Sequence, residues 1–543
     1  MHHSPANVPS SRPLSDIDQP SRDDSVALPQ DPTGRDVMAW NVLTSWAGHS
    51  VFVVAGFLLP RIIDRKIGQE ALGVWDFAWS LVSYFGLAEI GVGSSLSRYV
   101  AKYRAAGDVV GLRSAASSVM LVQLASAALA LAATAAVSQS LPFLFGREIG
   151  VHLDVATPVV ALLGSSLAIE IAFDTFHGVI TGCHRWDLHN AINAGFHALK
   201  TGAMIAVLLF GGGLRGLALV YFCGVVAREI TRRAVAYRVC PELRIGPAHA
   251  NWGQVRRMAI FGAKASVPGV ARLFLFQGNS LIVASQLGPA ALALYARPSS
   301  LLRQAETFIN KFAHVLTPTA SSLQAKGRLD DLRRLLIEST RFGTCLALPV
   351  LLVLGVMGDP ILGLWMGARY EQGAVLAILA AGYFVMLTQR PVVTILTGLN
   401  AHGRLGVASL VSSAVGFALS LLLVKGLHMQ LVGAALSVSI PLALGSGVYV
   451  IHDACRKLAM PYGEYLRRAY LSPALCALPF TACLVAARLL FPAQPLLALA
   501  VGGVSGTGVL APLYWIYVLP KSAREKIAEI LGRLAGSPRA ATV

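Results

Sequence analysis

Apolar runs of about 18 residues or more follow one another along almost the whole chain, and a run of that length crosses a bilayer as a helix. In hydrocarbon every backbone N–H and C=O needs an internal partner, so only helices or a closed barrel can span. The alternating apolar/polar pattern of barrel strands is absent. Charged residues make up 13% of the chain, about half of what a soluble domain carries. The expected fold class is therefore an all-α polytopic membrane protein with about 14 transmembrane helices. The spans fall near 38–59, 71–95, 114–138, 155–180, 188–210, 215–236, 258–285, 290–316, 342–357, 373–398, 405–424, 431–451, 471–490 and 496–519.

An even count places both termini on one side, and the basic residues test this. Of 45 Lys and Arg, 30 fall in the tails and loops on the terminal side, eight in the opposite loops and seven within spans. By the positive-inside rule both termini are cytoplasmic. Topology accounts for most of the net charge of +17, which in a soluble protein would suggest nucleic acid. Arg232, Arg233, Arg256 and Arg257 are read as topology signals that touch anionic lipid. The seven cysteines form no CxxC pair, so neither a metal site nor a disulfide framework is expected.

The chain repeats itself. Residues 67–75 (IGQEALGVW) align with 287–295 (LGPAALALY), and 103–113 (YRAAGDVVGLR) with 323–333 (LQAKGRLDDLR), both at an offset of 220. Span 1 then matches span 7, giving two six-helix lobes related by a parallel repeat, plus two extra C-terminal helices. The expected units are a disordered cytoplasmic tail at 1–36, rich in Pro, Ser and Asp, and an N-terminal lobe at 37–236. A basic linker at 237–257 leads to the C-terminal lobe at 258–455. The extra helices lie at 456–519, and an amphipathic cytoplasmic tail at 520–543. Prolines within spans (Pro158, Pro268, Pro298, Pro349, Pro391, Pro441) are expected to bend or break helices.

A charge in the bilayer interior is costly and usually faces a polar cavity. The C-terminal lobe places Lys264, Arg272, Arg297, Arg303, Lys311 and Arg390 within spans against one acid, Glu306. Arg303 and Glu306, three apart, could pair, and Arg297 is close enough to a span end to snorkel. The remaining cations suit an anionic ligand, Arg by bidentate contact and Lys as a point charge. The N-terminal lobe carries Asp76, Glu89, Glu170 and Asp174 against Lys200, with polar stripes Asn41, Ser45, His49 and Asn190, Asn193, His197. Two readings stay open. Lys200 pairs with Glu170 or Asp174 and the stripes join helices, or a carboxylate binds H+ or Na+ and couples transport to an ion gradient. Acidic N-lobe groups could also pair across the lobes with basic C-lobe groups in one state of a cycle.

The segment LGVWDFAWSLVSYFGLAEIGVGSSLSRYVAKYRAAGD at 72–108 resembles the second span and following loop of polysaccharide-type (O-antigen/exopolysaccharide) flippases. These belong to the multidrug/oligosaccharidyl-lipid/polysaccharide exporter superfamily. LGPAALALY with LTPTASSLQAKGRLDDL, and GDPILGLWMGARY at 358–370, resemble that family's eighth span and the loop after its ninth. The resemblance implies a flippase of a bacterial inner membrane that moves a polyprenyl-pyrophosphate oligosaccharide from the cytoplasmic to the outer leaflet by alternating access. Its partners would be membrane lipid and the machinery of polysaccharide biosynthesis. Arg272, Arg390, Lys264, Lys311, Arg303, Lys200 and Asn41 are the candidates for the head group; Glu170, Asp174 and Asp76 are those for ion coupling.

The alternatives are a multidrug or cation antiporter of the same superfamily, a lipid II-type flippase, and a membrane polysaccharide polymerase. An exporter of cations would want acids, not six basic groups, in the C-terminal lobe. An enzyme is not expected: the longest outer loop, 139–154, is short, and no Walker A, HExxH or GxSxG context occurs. No cofactor is expected beyond a coupling ion.

Overall fold

The computed structural model describes residues 35–89, 93–313, 316–399, 402–520 and 524–525, without the side chains of 35–43, 47, 93–95, 147–149, 151, 257–265, 311–313, 317–318 and 402. The tail at 1–34 and nearly all of the expected amphipathic tail lie outside these residues.

The first lobe comprises α1 (Arg35–Ile67), α2 (Gln69–Val82), α3 (Gly93–Ala105), α4 (Val109–Ile149), α5 (Leu153–Gly182), α6 (Trp186–Leu209) and α7 (Gly213–Val239). The second comprises α8 (Trp252–Leu287), α9 (Pro289–Ala313), α10 (Leu316–Ala325), α11 (Leu329–Val356), α12 (Gly358–Met366), α13 (Gly373–Thr388), α14 (Arg390–Gly398), α15 (His402–Ser420), α16 (Gln430–Leu442) and α17 (Ile451–Lys457). α18 (Tyr462–Leu466), α19 (Ser472–Leu490) and α20 (Pro495–Tyr517) follow, and no strand occurs among the described residues. Twelve helical spans are long and apolar enough to cross a membrane. α7 and α9, the sixth and eighth expected spans, have 27 and 25 residues but carry too many charges to join that set. The chain is a multi-pass membrane protein.

The repeat persists in the backbone. The α1–α2 and α8–α9 turns end on Gly68 (φ +91°) and Gly288 (φ +85°), and Gly107 (φ +69°) and Gly327 (φ +66°) precede α4 and α11. Such φ values suit a residue without a Cβ. Arg113 Nε donates to Glu242 O at 2.9 Å, and its repeat partner Arg333 donates to Leu458 O at 2.7 Å, so each arginine pins the segment after its lobe's last helix.

The lobes meet along α2 and α9. A Cβ on Gly73 would lie 1.8 Å from the Pro289 carbonyl oxygen, so only glycine permits this approach. The polar links between the lobes cluster at the end of the bundle that holds the α1–α2 turn, termed the distal face. There Asp64, buried, accepts from Arg369 (2.9 Å) and Tyr370 (2.6 Å). Trp365 Nε1 donates to Phe57 O (2.7 Å), and Gln69 Nε2 to Ala290 O (3.0 Å). Slightly deeper, Asp76 pairs with Arg297.

The prolines act unevenly. Pro158, Pro268, Pro298 and Pro349 sit inside helices that continue past them, so none of the four breaks its helix. Pro441 precedes a π-helical stretch at 443–450. Pro391 alone marks a full interruption, ending α13 at Thr388 and starting α14 at Arg390. The extra helices α19 and α20 pack on α11 and α12 through Met357, Phe480 and Leu484, and Arg488 pairs with Asp359 at 2.7 Å.

Candidate functional site

The break at Pro391 positions the C-lobe site. Arg390 at the start of α14 reaches Glu306 on α9 at 2.6 Å, and Arg272 from α8 reaches the other carboxylate oxygen at 2.5 Å. Two guanidiniums thus share one carboxylate. Glu306 is 4% exposed, whereas the Arg272 and Arg390 side chains are 37% and 29% exposed. Both arginines line a cavity of about 170 Å³ with Pro268, Ser409 and Ser413. Arg272 also lies over the Phe276 ring at 4.9 Å, and the buried Nε of Arg390 has no hydrogen-bond partner among the described residues.

Two C-lobe expectations change. Glu306 pairs with Arg272 and Arg390 and not with Arg303, because those cations come from neighbouring helices that aim inward. Arg303 is exposed and has no carboxylate partner among the described residues. Arg297 does not snorkel: it is 3% exposed and bridges to Asp76 in the other lobe, the cross-lobe kind of pair anticipated from the charge distribution. Lys264, Lys311 and Asn41 lie outside the described side chains.

The N-lobe site is a cavity of about 360 Å³ bordered by α1, α5, α6 and α7. Glu170, Asp174 and His177 share one face of α5, as their i, i+4, i+7 spacing requires. Glu170 pairs with Arg228 at 2.8 Å, and Arg228 also reaches Glu229 at 2.8 Å. Arg232 holds Glu229 at 2.8 Å and donates to Asn193 at 2.8 Å. Asp174 accepts from Gln123 (3.2 Å) and contacts His177 (3.1 Å). The His177 and His189 rings stack at 4.3 Å, and Phe52 stacks on His197 at 3.9 Å.

Lys200 pairs with neither Glu170 nor Asp174. It is buried, with its ammonium 3.7 Å from the Tyr221 ring centre, a cation–π contact. Of the two carboxylates considered for it, Glu170 is held by Arg228 and Asp174 by Gln123 and His177, while Arg232, read from the sequence as a topology signal, binds Glu229 within the lobe. Arg232 is 7% exposed, and Glu229 is fully buried. The signal was present: an acid among arginines at 228, 229 and 232 puts opposite charges on one helical face. The polar stripe does join helices at one point, where Asn190 donates to Thr44 at 3.4 Å.

The two cavities correspond in sequence register. α5 begins at Leu153 and α13 at Gly373, again 220 apart. At the same offset Phe52 matches Arg272, Glu170 matches Arg390, His189 matches Ser409 and Asn193 matches Ser413, and all eight residues line one cavity or the other. One lobe carries arginine where the other carries a carboxylate or an aromatic ring.

A family model described as polysaccharide biosynthesis protein matches residues 112–375. An uncharacterized membrane protein, EpsK, of Bacillus subtilis is 23% identical over 429 residues, covering 74% of this chain and 81% of that protein. A putative O-antigen transporter of Shigella flexneri is 22% identical over 348 residues, covering 62% and 81%. Among solved structures, the lipid II flippase MurJ in an inward closed conformation has a TM-score of 0.65 at 10% identity, covering 92% of this chain and all of that one. An inward-facing multidrug resistance MATE family transporter of the MOP superfamily has a TM-score of 0.61 at 13% identity, covering 75% and 94%. The family model and the putative O-antigen transporter agree with the resemblance carried by residues 72–108 and 287–370, and the two solved structures, one a flippase and one a transporter, share the fold of this chain.

Proposed function

We propose that this chain flips a polyprenyl-pyrophosphate oligosaccharide across a bacterial inner membrane, from the cytoplasmic to the outer leaflet, by alternating access of its two lobes. The observation that carries this reading is the C-lobe cluster, where Arg272 and Arg390 share the single carboxylate of Glu306. Their surplus positive charge, next to an unpaired Nε of Arg390 and an exposed Arg303, suits a diphosphate. The positive-inside bias supports termini in the cytoplasm. The clustering of lobe–lobe polar links at the distal face suits a state closed towards the outside, with Asp64–Arg369 and Asp76–Arg297 as links that opening must break. H+ or Na+ coupling falls to Glu170 or Asp174, whose side chains are 31% and 26% exposed within the N-lobe cavity.

The test is leaflet-resolved measurement of the lipid-linked glycan in cells lacking the protein. The reading expects accumulation on the cytoplasmic leaflet and loss of surface polysaccharide, restored by the wild type and not by Arg272→Ala. Unchanged glycan lipids with raised sensitivity to cationic dyes would instead favour drug export. Normal transport by both Glu170→Gln and Asp174→Asn at every pH would remove the proposed coupling role.

A further inference from the structure

We infer that the N-lobe cavity is a glycan-reading site that accepts neutral or amino-substituted sugars and rejects carboxylated ones, while the repeat-equivalent C-lobe cavity holds the diphosphate. This rests on the flippase reading above and narrows its substrate.

The register of the two cavities is the starting point. A duplicated lobe starts with two copies of one pocket, and here their walls have taken opposite chemistry: Arg272 against Phe52, Arg390 against Glu170. A substrate that is anionic at one end and hydroxyl-rich at the other matches such a divided pair. On the N-lobe side both guanidiniums are consumed. Arg228 lies between Glu170 and Glu229, and Arg232 is held by Glu229 and Asn193. Asp174 retains only a glutamine and a histidine, and Glu89 has no bonded partner among the described residues. Three carboxylates, Glu89, Glu170 and Asp174, line the cavity against two guanidiniums that Glu229 also holds from beneath, so a substrate carboxylate would meet like charge.

The same wall suits sugars. Carboxylate oxygens accept from hydroxyl or ammonium groups, and Asn193 and the imidazoles supply both donors and acceptors. Phe52, 39% exposed and backed by His197, offers a flat apolar face to the C–H side of a sugar ring. A volume of about 360 Å³ lies within the range of small-molecule pockets, about 300–1,000 Å³.

The experiment uses the full chain in proteoliposomes with four tail-labelled fluorescent lipids: polyprenyl pyrophosphate bare, or carrying glucose, glucosamine or glucuronate. Crossing is read by an impermeant quencher. The inference expects the glucose and glucosamine lipids to cross at least about tenfold faster than the glucuronate lipid. A Glu89→Gln/Asp174→Asn double variant should raise the glucuronate rate relative to its own glucose rate, whatever its overall rate, and Arg272→Ala should slow all the lipids alike. The wild-type ratio is a test in itself, whether or not the variants fold. Glucuronate crossing at the glucose rate, or a ratio unchanged in a monodisperse double variant, overturns the inference and leaves the flippase reading standing. No movement of any of the four lipids overturns both.

Discussion

The two lobes differ where a ligand would touch them and agree where the backbone must turn. Gly68 and Gly288 hold φ near +90°, Gly107 and Gly327 near +70°, and Arg113 and Arg333 each pin a following segment through carbonyl oxygens. The cavity walls, at the same offset, exchange Arg390 for Glu170 and Arg272 for Phe52. Positions dictated by backbone geometry have few acceptable residues, because a positive φ penalises any Cβ. Positions dictated by ligand chemistry are free to change once two copies exist.

The sharpest way to break this comparison is Arg390→Glu, which gives the C-lobe wall the charge its N-lobe counterpart carries. It would place a second carboxylate beside Glu306 and remove one of the two cations. Flipping of a pyrophosphate lipid should fall at least about 100-fold, since charge-assisted contacts to phosphate are the strong ones. Arg390→Gln, which removes charge without reversing it, should lose about tenfold. Wild-type flipping by Arg390→Glu protein with a normal elution profile would show that the diphosphate binds elsewhere.

Next in size is the seam between the lobes. Ala293 is the repeat partner of Gly73, yet a Cβ at Gly73 would sit 1.8 Å from a backbone oxygen. Backbone cannot yield as a side chain can, so Gly73→Ala should cost about 1–3 kcal/mol, the range for overpacking. A marked fall in thermal stability in detergent, with little change for Ala293→Gly, is the expected asymmetry. Equal effects would mean that α2 and α9 approach less closely than described.

Glu306→Gln probes what the paired arginines require. Removing one partner of a buried ion pair costs about 3–5 kcal/mol, and water reaching both arginines lowers this to about 1–3. The two guanidiniums would then repel each other without a mediator. Adding Arg272→Gln should therefore restore part of the loss, a coupling readable in a double-mutant thermal cycle. Additive losses would show that Glu306 stabilises each arginine independently.

Much of the fold was legible because hydropathy and the positive-inside bias are strong physical constraints that act over whole segments. The repeat was legible because glycine turns fix short, alignable strings. The pairing of charges was not. Whether Glu306 meets Arg303 on its own helix or Arg272 and Arg390 on neighbouring ones depends on helix rotation, and a spacing of three along one helix says nothing of that. Arg228, Glu229 and Arg232 were hidden for a related reason. A basic cluster near a span end satisfies the topology rule equally well whether it lies in a loop or continues as a helix into the lobe. Arg297 was misplaced because nearness to a span end in sequence does not show which neighbour covers that end; here α2 brings Asp76 to it.

The smallest expected effect on stability is that of Glu170→Gln, and its smallness is what makes it useful. Glu170 holds Arg228, but Arg228 keeps a second carboxylate, Glu229, at the same 2.8 Å. The arginine is therefore not left uncompensated, unlike Arg390, whose described carboxylate partner is Glu306 alone. With the Glu170 side chain 31% exposed, the stability change should stay within about 1 kcal/mol. The same substitution removes a negative charge from the cavity wall, so it should raise the ratio of glucuronate-lipid to glucose-lipid flipping while leaving thermal unfolding nearly unmoved. A large stability loss would mean that Glu229 does not hold Arg228 alone, and the N-lobe network would then be a structural brace like the distal links and not a wall that reads substrate.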